Sequence, residues 1–388
     1  MARIRNPFRA SIGASPPVLV GRDSDIEDFD SALDDGPGTL ERITLFTGVR
    51  GVGKTCMLNA VEDVARSRGW HVFSESADQG FMDNLVRQVA RAVEELGDDT
   101  VRRRISGGTL GRIGVSTMST ETVDWSSSLR ELLGTLDGLH SRFAGDDDPA
   151  GTLITLDEVH VKNSNELREF ATVIQHLVRA DANIAVAMAG IPSAVERFIS
   201  DKDNESTITF IRRADRVFLG SVSDDDVREA LSAPVEPLEV TWDEAALETA
   251  TEACGGYPFM IQLVGHYSFR AAEGDTITPE SVRQGVDKAR RKLGTLVHDP
   301  ALKDLSGTDK TVLVAMSVDD GPSRPADLAE RINQGLNYLY VYRARLTNAG
   351  MIQVLPDGRF DLAVPYLREY LREHAATLGL SLPTPSPE

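Results

Sequence analysis

Between residues 21 and 220, short apolar runs alternate with longer segments in which apolar residues recur every three or four positions. Runs of about four to eight apolar residues are typical of buried strands, and the longer period is typical of helices. The alternation predicts an α/β domain built on a mainly parallel sheet. The predicted strands are Ile43–Thr47, Trp70–Ser74, Thr152–Leu156, Ile184–Met188 and Arg216–Leu219.

Two segments of this region have a clear helical period. Phe81–Leu96 and Leu129–Phe143 each carry apolar residues at helical spacing and are predicted to cover the sheet. The polar segment Gly97–Ser128 between them contains several glycines and is predicted to be a long loop or hairpin.

Residues 221–293 show helix signals and no convincing strand, which predicts a small helical lid. Ser223 is predicted to begin one helix, and Thr241–Glu244 has the spacing of a capping box for the next. Gly255 and Gly256 are predicted to end that helix, and Pro258 suits the first turn of the following one. Thr278-Pro279 is predicted to open a fourth helix.

Residues 294–375 predict three helices followed by a two-stranded ribbon, an order typical of a winged helix-turn-helix. The predicted elements are helices Asp309–Ser317, Pro325–Ile332 and Asn337–Ala349, strands Met351–Leu355 and Arg359–Ala363, and a closing helix Leu367–His374. Residues 1–20 are predicted to form an N-terminal arm, and residues 376–388 a disordered tail.

A complete phosphate-binding loop lies between the first predicted strand and a predicted helix. It reads Gly48-Val49-Arg50-Gly51-Val52-Gly53-Lys54-Thr55 and is followed by Cys56. Its glycines let several backbone N–H groups point at one anion, and the helix N-terminus adds partial positive charge. The G-x-x-x-x-G-K-[ST] motif is informative in this strand-to-helix context, so we expect residues 48–56 to bind a nucleoside triphosphate.

The chemistry of the site is predicted from four side chains. Lys54 is expected to reach the β- and γ-phosphates, and the Thr55 hydroxyl to ligate Mg²⁺. Asp157 and Glu158 follow the strand Thr152–Leu156 at its carboxyl end, where ligands of parallel sheets bind. Asp157 is expected to hold Mg²⁺ through water, and Glu158 to orient or deprotonate the attacking water. The predicted activity is hydrolysis of ATP to ADP and phosphate.

Three further motifs give the chain a resemblance to the AAA+ ATPases, in the branch of the origin-recognition and STAND-type signalling ATPases. They are Val20-Gly21-Arg22-Asp23, Gly190-Ile191-Pro192 and Gly255-Gly256-Tyr257-Pro258. The resemblance covers residues 16–375. It implies that Val20, Gly21 and Arg22 contact adenine and that Pro258 packs on the nucleotide.

The chain also departs from that family. The strand Ile184–Gly190 carries no polar sensor residue, and Tyr257-Pro258 stands where AAA+ motors place a lid arginine. These departures favour a slow switch over a processive motor. Arg212 and Arg213 match the region that supplies an arginine finger to a neighbouring subunit, although a solvated arginine pair explains them equally well.

Composition narrows the class of protein. The 388 residues are 41% hydrophobic, which supports packed cores, and the net charge of −19 lowers the expectation of general nucleic-acid binding. Only two cysteines occur, without metal-type spacing, which is typical of a reducing compartment. No long apolar run or signal peptide is evident, so we expect a cytoplasmic protein without a membrane partner.

The partner of the predicted winged helix stays open at this point. The segment from Thr308 to Glu373 contains eight basic and nine acidic residues, so its net charge is close to zero. One hypothesis is a nucleotide-controlled switch that binds double-stranded DNA through the helix Asn337–Ala349. The alternative is a STAND-like regulator whose lid and winged helix dock a protein partner or a second copy of the chain.

Overall fold

Five parallel strands form the central sheet of the computed structural model, which describes residues 5–11, 13–96, 125–143, 150–159, 164–192, 213–303 and 305–382. The strands are β1 (Ile43–Thr47), β2 (His71–Ser76), β3 (Thr152–Val159), β4 (Ile184–Gly190) and β5 (Asp215–Phe218). Their order across the sheet is β2-β3-β4-β1-β5, with every neighbouring pair parallel. The predicted α/β fold and all five strands are confirmed.

Helices cover both faces of this sheet. One face carries α1 (Asp23–Asp35) and α2 (Lys54–Ser67), and the other carries α3 (Phe81–Leu96), α4 (Trp125–Phe143) and α5 (Ser164–Arg179). Because successive strand residues point to opposite faces, β1 and β4 contribute to both cores and are buried along their whole length.

The loop predicted over Gly97–Ser128 is partly corrected. Residues 97–124 lie outside the described residues, but residues 125–128 already belong to α4. The described part of the helix therefore starts one turn before Leu129, the first apolar residue of the predicted helix. Trp125 lies four positions before Leu129 and continues its helical spacing, but the prediction started the helix only at Leu129.

The strand register brings the carboxyl ends of β1, β3 and β4 to one edge of the sheet. Thr47 at the end of β1 pairs with Gly190 at the end of β4, and Gly190 also pairs with Val159 at the end of β3. The phosphate-binding loop, the Asp157-Glu158 pair and the end of β4 consequently meet at this edge.

The lid is helical as predicted, with one addition. It contains α6 (Asp224–Ser232), α7 (Glu244–Cys254), α8 (Pro258–Ala271) and α9 (Pro279–Leu293). Two short strands, β6 (Thr241–Trp242) and β7 (Thr276–Ile277), pair in parallel between the helices.

The expectation that this segment lacks strands, and the predicted cap of α7, were therefore wrong. Asp243 is the N-cap of α7, and its side chain accepts from the backbone N–H groups of Ala245 and Ala246. Thr241 lies in β6 instead, where its N–H donates to the carbonyl of Asp275. A two-residue strand is too short to show an alternating pattern.

The C-terminal elements agree closely with the predicted order. They are a π-helical turn Gly294–His298, α10 (Asp299–Lys303), α11 (Gly307–Ser317), α12 (Pro325–Arg331), α13 (Leu336–Asn348), β8 (Ile352–Val354), β9 (Phe360–Leu362) and α14 (Leu367–His374). Strands β8 and β9 form the predicted antiparallel ribbon. Helix α10 was not predicted, and it prolongs α9 through the π-helical turn.

The lid and the C-terminal elements share one continuous hydrophobic core, which also takes in Phe8 of the N-terminal arm. The predicted boundary at residues 293 and 294 therefore divides a single packed unit. The predicted disordered tail is corrected in part, because Leu378 and Leu380 pack against this core. Residues 383–388 lie outside the described residues. In the part of the chain that the structure describes, no helix is long and apolar enough to cross a bilayer.

Candidate functional site

The loop between β1 and α2 has the backbone of an anion cradle. Gly51 and Gly53 have φ angles of 76° and 100°, in the left-handed region that glycine adopts without a steric penalty. Gly53 is the N-cap of α2, so the first turn of the helix opens towards the loop. Backbone N–H groups at a helix N-terminus favour a bound anion such as phosphate.

Lys54 carries the positive charge of this cradle. Its Nζ donates hydrogen bonds to the carbonyl oxygens of Gly48 and Val49, both at 2.9 Å. Burial lowers the pKa of Lys54 to about 8, and the negative charge of Asp157 opposes that shift. An anion placed against the ammonium group raises the pKa again, so phosphate binding and protonation of Lys54 favour each other.

Thr55 and Asp157 join the two halves of the site. The Thr55 hydroxyl donates to Oδ2 of Asp157 at 2.6 Å, and the backbone N–H of Glu158 donates to Oδ1 at 2.7 Å. Hydroxyl and carboxylate oxygens are the ligands that Mg²⁺ prefers, and this ion keeps several waters or phosphate oxygens as further ligands. The described residues form no cluster of three or more His, Cys, Asp or Glu suited to a metal. Thr55 and Asp157 are the two side chains of the site that could hold Mg²⁺.

Glu158 occupies an unusual backbone position. The pairing of β3 with β4 shifts register between Leu156 and Val159, and Glu158 in this bulge has a φ of 54°. A non-glycine residue in the left-handed region costs on the order of 1 kcal/mol or more, and bulges often redirect a side chain. Glu158 is exposed and lines the same cavity as the phosphate-binding loop.

One cavity of about 260 Å³ gathers most of the predicted site residues. The predicted residues that line it are Val20, Arg22, Arg50, Gly51, Val52, Gly53, Lys54, Thr55, Cys56, Asp157, Glu158 and Pro258. Gly48 and Val49 do not line it, but their carbonyl groups hold Lys54. Gly21 also stays outside the lining, with a φ of 62° that lets the backbone turn next to Asp226.

Arg22 lines the cavity and is held there by a hydrogen bond within the α/β domain. Its guanidinium group donates to the carbonyl of Gly220, and burial lowers its pKa despite the nearby charges of Asp25 and Asp226. The group stays cationic because the ordinary pKa of arginine is far above neutrality. It adds to the positive charge of the cavity, which Arg9, Arg50 and Lys54 also line.

Of the two predicted arginine fingers, the structure describes only Arg213, which does not line this cavity. Arg212 lies outside the described residues, and Arg213 is exposed just before β5. Asp215 pairs with Thr44 near the start of β1, whereas the phosphate-binding loop follows the end of β1. Arg213 thus lies at the opposite edge of the sheet, and its action on a neighbouring subunit stays a prediction.

The lid contacts the phosphate-binding loop directly. Tyr257, which is 1% exposed, donates its hydroxyl proton to the carbonyl of Arg50, and burial raises its pKa. The backbone N–H of Phe259 donates to the carbonyl of Gly51 at 3.3 Å. A Cβ atom at Gly51 would collide with the Tyr257 hydroxyl, so this glycine is required for the close approach of the lid.

Sequence reasoning missed the parts of the cavity that come from distant segments. The additional lining residues include Arg9, Ser11, Ala14, Val222, Ile261, Gln262, Leu296 and Val297. They come from the arm, the lid and the π-helical turn. No local motif marks these residues, because each reaches the cavity only through tertiary packing.

Comparisons with known proteins agree with this architecture. Residues 18–187 match the model of the AAA ATPase domain, and residues 295–371 match a domain of unknown function (DUF8462). None of the curated proteins matches the chain.

Two solved structures share the fold over most of the chain. The Walker-type ATPase of Pyrococcus abyssi has 16% identity and a TM-score of 0.63, covering 91% of this chain and 96% of its own. The ORC2 protein of Aeropyrum pernix, in ADPNP and ADP complexes, has 18% identity and a TM-score of 0.59, covering 94% and 96%. The chain therefore has a P-loop NTPase fold.

Proposed function

We propose that this protein is an ATP-dependent switch that binds ATP with Mg²⁺ and hydrolyses it slowly. The observation that carries the proposal is the composition of the cavity, which combines the phosphate-binding loop and Asp157-Glu158 with lid and C-terminal residues. The first set supplies the chemistry of hydrolysis. The second set transmits the state of the nucleotide to the rest of the chain.

Each charged or polar group has a role in the proposed reaction. Lys54 and the backbone of the loop bind the β- and γ-phosphates, and Thr55 with Asp157 holds Mg²⁺, which neutralises phosphate charge when bound. Glu158 orients the attacking water and accepts its proton. Its position in the bulge supports this role, because the exposed carboxylate lines the cavity next to Asp157.

Two features favour slow turnover. Gly190 and Ile191, at the end of β4, line the cavity. Neither residue has a polar side chain that could help to position water. The lid approaches the phosphate-binding loop through Tyr257 and Pro258, and neither supplies a cationic side chain for developing phosphate charge. An arginine at such a position can raise the rate by about a thousandfold or more.

The lid contact provides the first test of the switch. Tyr257→Phe removes one hydrogen bond between α8 and the loop while keeping the aromatic ring. We expect ADP to dissociate about five to ten times faster, because a net hydrogen bond contributes about 1 kcal/mol and the lid opens more readily without it. Stopped-flow release of a fluorescent ADP analogue measures this rate.

Tyr267→Phe is the matched control, since Tyr267 lies on the same helix and does not line the cavity. It should release ADP at the wild-type rate. If Tyr257→Phe also releases ADP at the wild-type rate, the lid contact does not control the nucleotide.

The C-terminal elements favour a protein partner over DNA. Five of the eight basic side chains between Thr308 and Glu373 form ion pairs within the same region. These pairs are Arg331–Asp319, Arg345–Asp309, Arg359–Asp357, Arg368–Asp361 and Arg372–Asp320. Their charges are already compensated, which leaves few groups to neutralise DNA phosphates.

The exposed surface of α13 and the ribbon carries several large apolar side chains among polar ones such as Arg345 and Gln353. Leu336, Tyr338, Tyr340, Val341 and Val354 are the exposed large apolar residues of this region. Aromatic residues are enriched at protein interfaces. We therefore infer that this winged-helix-like unit docks a protein, with DNA binding as the second candidate.

Titration against a labelled DNA duplex at several salt concentrations separates the two candidates. We expect no measurable binding at low salt, with or without ATP, because the arginine charges are paired internally. Binding that weakens steeply with salt would instead support the DNA candidate. The control variant is Arg343→Ala. The Arg343 guanidinium group stacks on Tyr340, 5.0 Å from the ring centroid, and is not one of the five arginines that pair with carboxylates.

A further inference from the structure

The N-terminal arm is docked on lid helix α8 by specific packing. The Phe8 side chain is 3% exposed and lies against Gly265, where a Cβ atom would come within 2.4 Å of the ring. The side-chain amide of Asn6 donates to the carbonyl of His266 at 2.9 Å. These contacts fix the arm on the face of α8 that continues towards the cavity.

The docked arm sets the orientation of one buried amide. The backbone N–H of Arg9 donates to Oε1 of Gln262 at 3.0 Å. A backbone N–H can only donate, so the oxygen of this amide must face the arm and Nε2 must face away. Gln262 is 7% exposed, and the bond from Arg9 is the single hydrogen bond of its side chain among the described residues.

The side-chain amide NH2 group of Gln262 is accessible from the cavity. Gln262 lines the cavity. Its Nε2 atom has no hydrogen-bond partner in the part of the chain that the structure describes, and it is not one of the polar atoms that are closed off from solvent. The group therefore remains reachable from the cavity. A largely buried N–H group gains free energy when a ligand supplies an acceptor, since leaving it unsatisfied is costly.

Its place along α8 indicates which part of the ligand it faces. Helix α8 begins against the phosphate-binding loop, where Phe259 donates to the carbonyl of Gly51. Pro258 and Gln262 are four residues apart, so they share a face and lie about 6 Å apart along the axis. Both line the cavity, together with apolar Ile261 and Val297. Gln262 is thus one helical turn further along α8 than the end that contacts the phosphate-binding loop, in a part of the cavity with apolar neighbours.

We propose that Gln262 recognises the nucleoside half of the bound nucleotide, by donating a hydrogen bond from Nε2 to an acceptor on the base or the ribose. This inference rests on the proposed nucleotide site. It assigns the arm a second role, because Arg9 holds the amide in the donating orientation. Recognition by a hydrogen bond to a buried polar group discriminates strongly against ligands that lack the partner.

Gln262→Glu is the informative variant. It keeps an oxygen to accept from the Arg9 N–H and keeps the length of the side chain, but it removes the Nε2 donor. We expect the Kd for ATP to rise about tenfold or more, and the Kd for inorganic tripolyphosphate to rise less, by the part of the loss that the added negative charge causes. Isothermal titration calorimetry measures both. Gln334→Glu, at an exposed position outside the cavity lining, adds the same charge and should change neither.

A neutral variant and a set of analogues complete the test. Gln262→Met adds no charge, so it should weaken ATP binding about tenfold while the Kd for inorganic tripolyphosphate changes less than twofold, with thermal melting confirming that both variants are folded. Wild-type protein is then titrated with 2′-deoxy-ATP and with the 1-, 3- and 7-deaza analogues of ATP. One analogue should bind about tenfold more weakly to wild type and no more weakly than ATP to Gln262→Met, which identifies the acceptor.

The outcomes separate this inference from the proposed function. If wild type binds ATP and both Gln262 variants bind it equally well, the inference is overturned and the ATP site stands. A parallel loss of ATP and tripolyphosphate affinity in Gln262→Met also overturns it. If wild type binds no nucleoside triphosphate, the proposed function fails first.

Discussion

Lys54→Ala is expected to weaken ATP binding by on the order of a hundredfold or more. The ammonium group is the cation at the centre of the phosphate-binding loop, held by the carbonyl groups of Gly48 and Val49. Charge-assisted hydrogen bonds to phosphate are about twice as strong as neutral ones, and the partly buried site screens them little. Calorimetric titration with ATP and Mg²⁺ measures the loss.

Two companion variants make this result interpretable. Lys288→Ala removes an exposed lysine from α9 and should leave the affinity unchanged. Lys54→Arg keeps the charge but changes its shape, so it should fall between alanine and wild type. ATP binding by Lys54→Ala at wild-type affinity would show that the loop does not hold the triphosphate.

Glu158→Gln is expected to keep ATP affinity within about threefold of wild type while lowering the rate of hydrolysis by about a hundredfold to ten-thousandfold. The amide has the size of the carboxylate and leaves the bulge in β3 intact, but it cannot accept a proton. Thr55 and Asp157 retain their 2.6 Å hydrogen bond, so the part of the site that holds the phosphates is unchanged. Single-turnover hydrolysis of labelled ATP measures the chemical step.

Glu169→Gln serves as the control for loss of an acidic side chain. Glu169 is exposed on α5 and does not line the cavity, so its substitution should not alter turnover. Normal hydrolysis by Glu158→Gln would mean that another group accepts the proton, and the assignment of Glu158 would be wrong. Together with Lys54→Ala, this variant distinguishes a binding defect from a catalytic one.

The predictions that succeeded concern features that residues close together in the sequence determine. The run Ile43–Thr47, the glycines that follow it and the helix from Lys54 are specified locally, so their order could be predicted without tertiary information. The capping serine at position 223 and Pro258 at the start of α8 are equally local signals. Such elements depend on backbone conformation and on periodic burial, both of which sequence spacing reports.

The predictions that failed concern elements whose cause lies elsewhere in the chain. Strand β6 exists because Thr241 pairs with Thr276, thirty-five positions further along. Leu378 and Leu380 are ordered because they pack on the shared core, although their composition resembled that of a tail. The spacing of residues within one segment contains no information about a contact partner that lies far away in the sequence.

The sequence by itself determined that this chain has a phosphate-binding loop, a pair of acidic residues after a buried strand, and a helical C-terminal half. Only the tertiary structure decided what surrounds them. It brought Tyr257 to the carbonyl of Arg50 and the arm to Gln262, and it brought Leu296 of the C-terminal segment to the nucleotide cavity. The physical reason is that a periodic pattern specifies which side chains are buried, whereas packing decides against which partners.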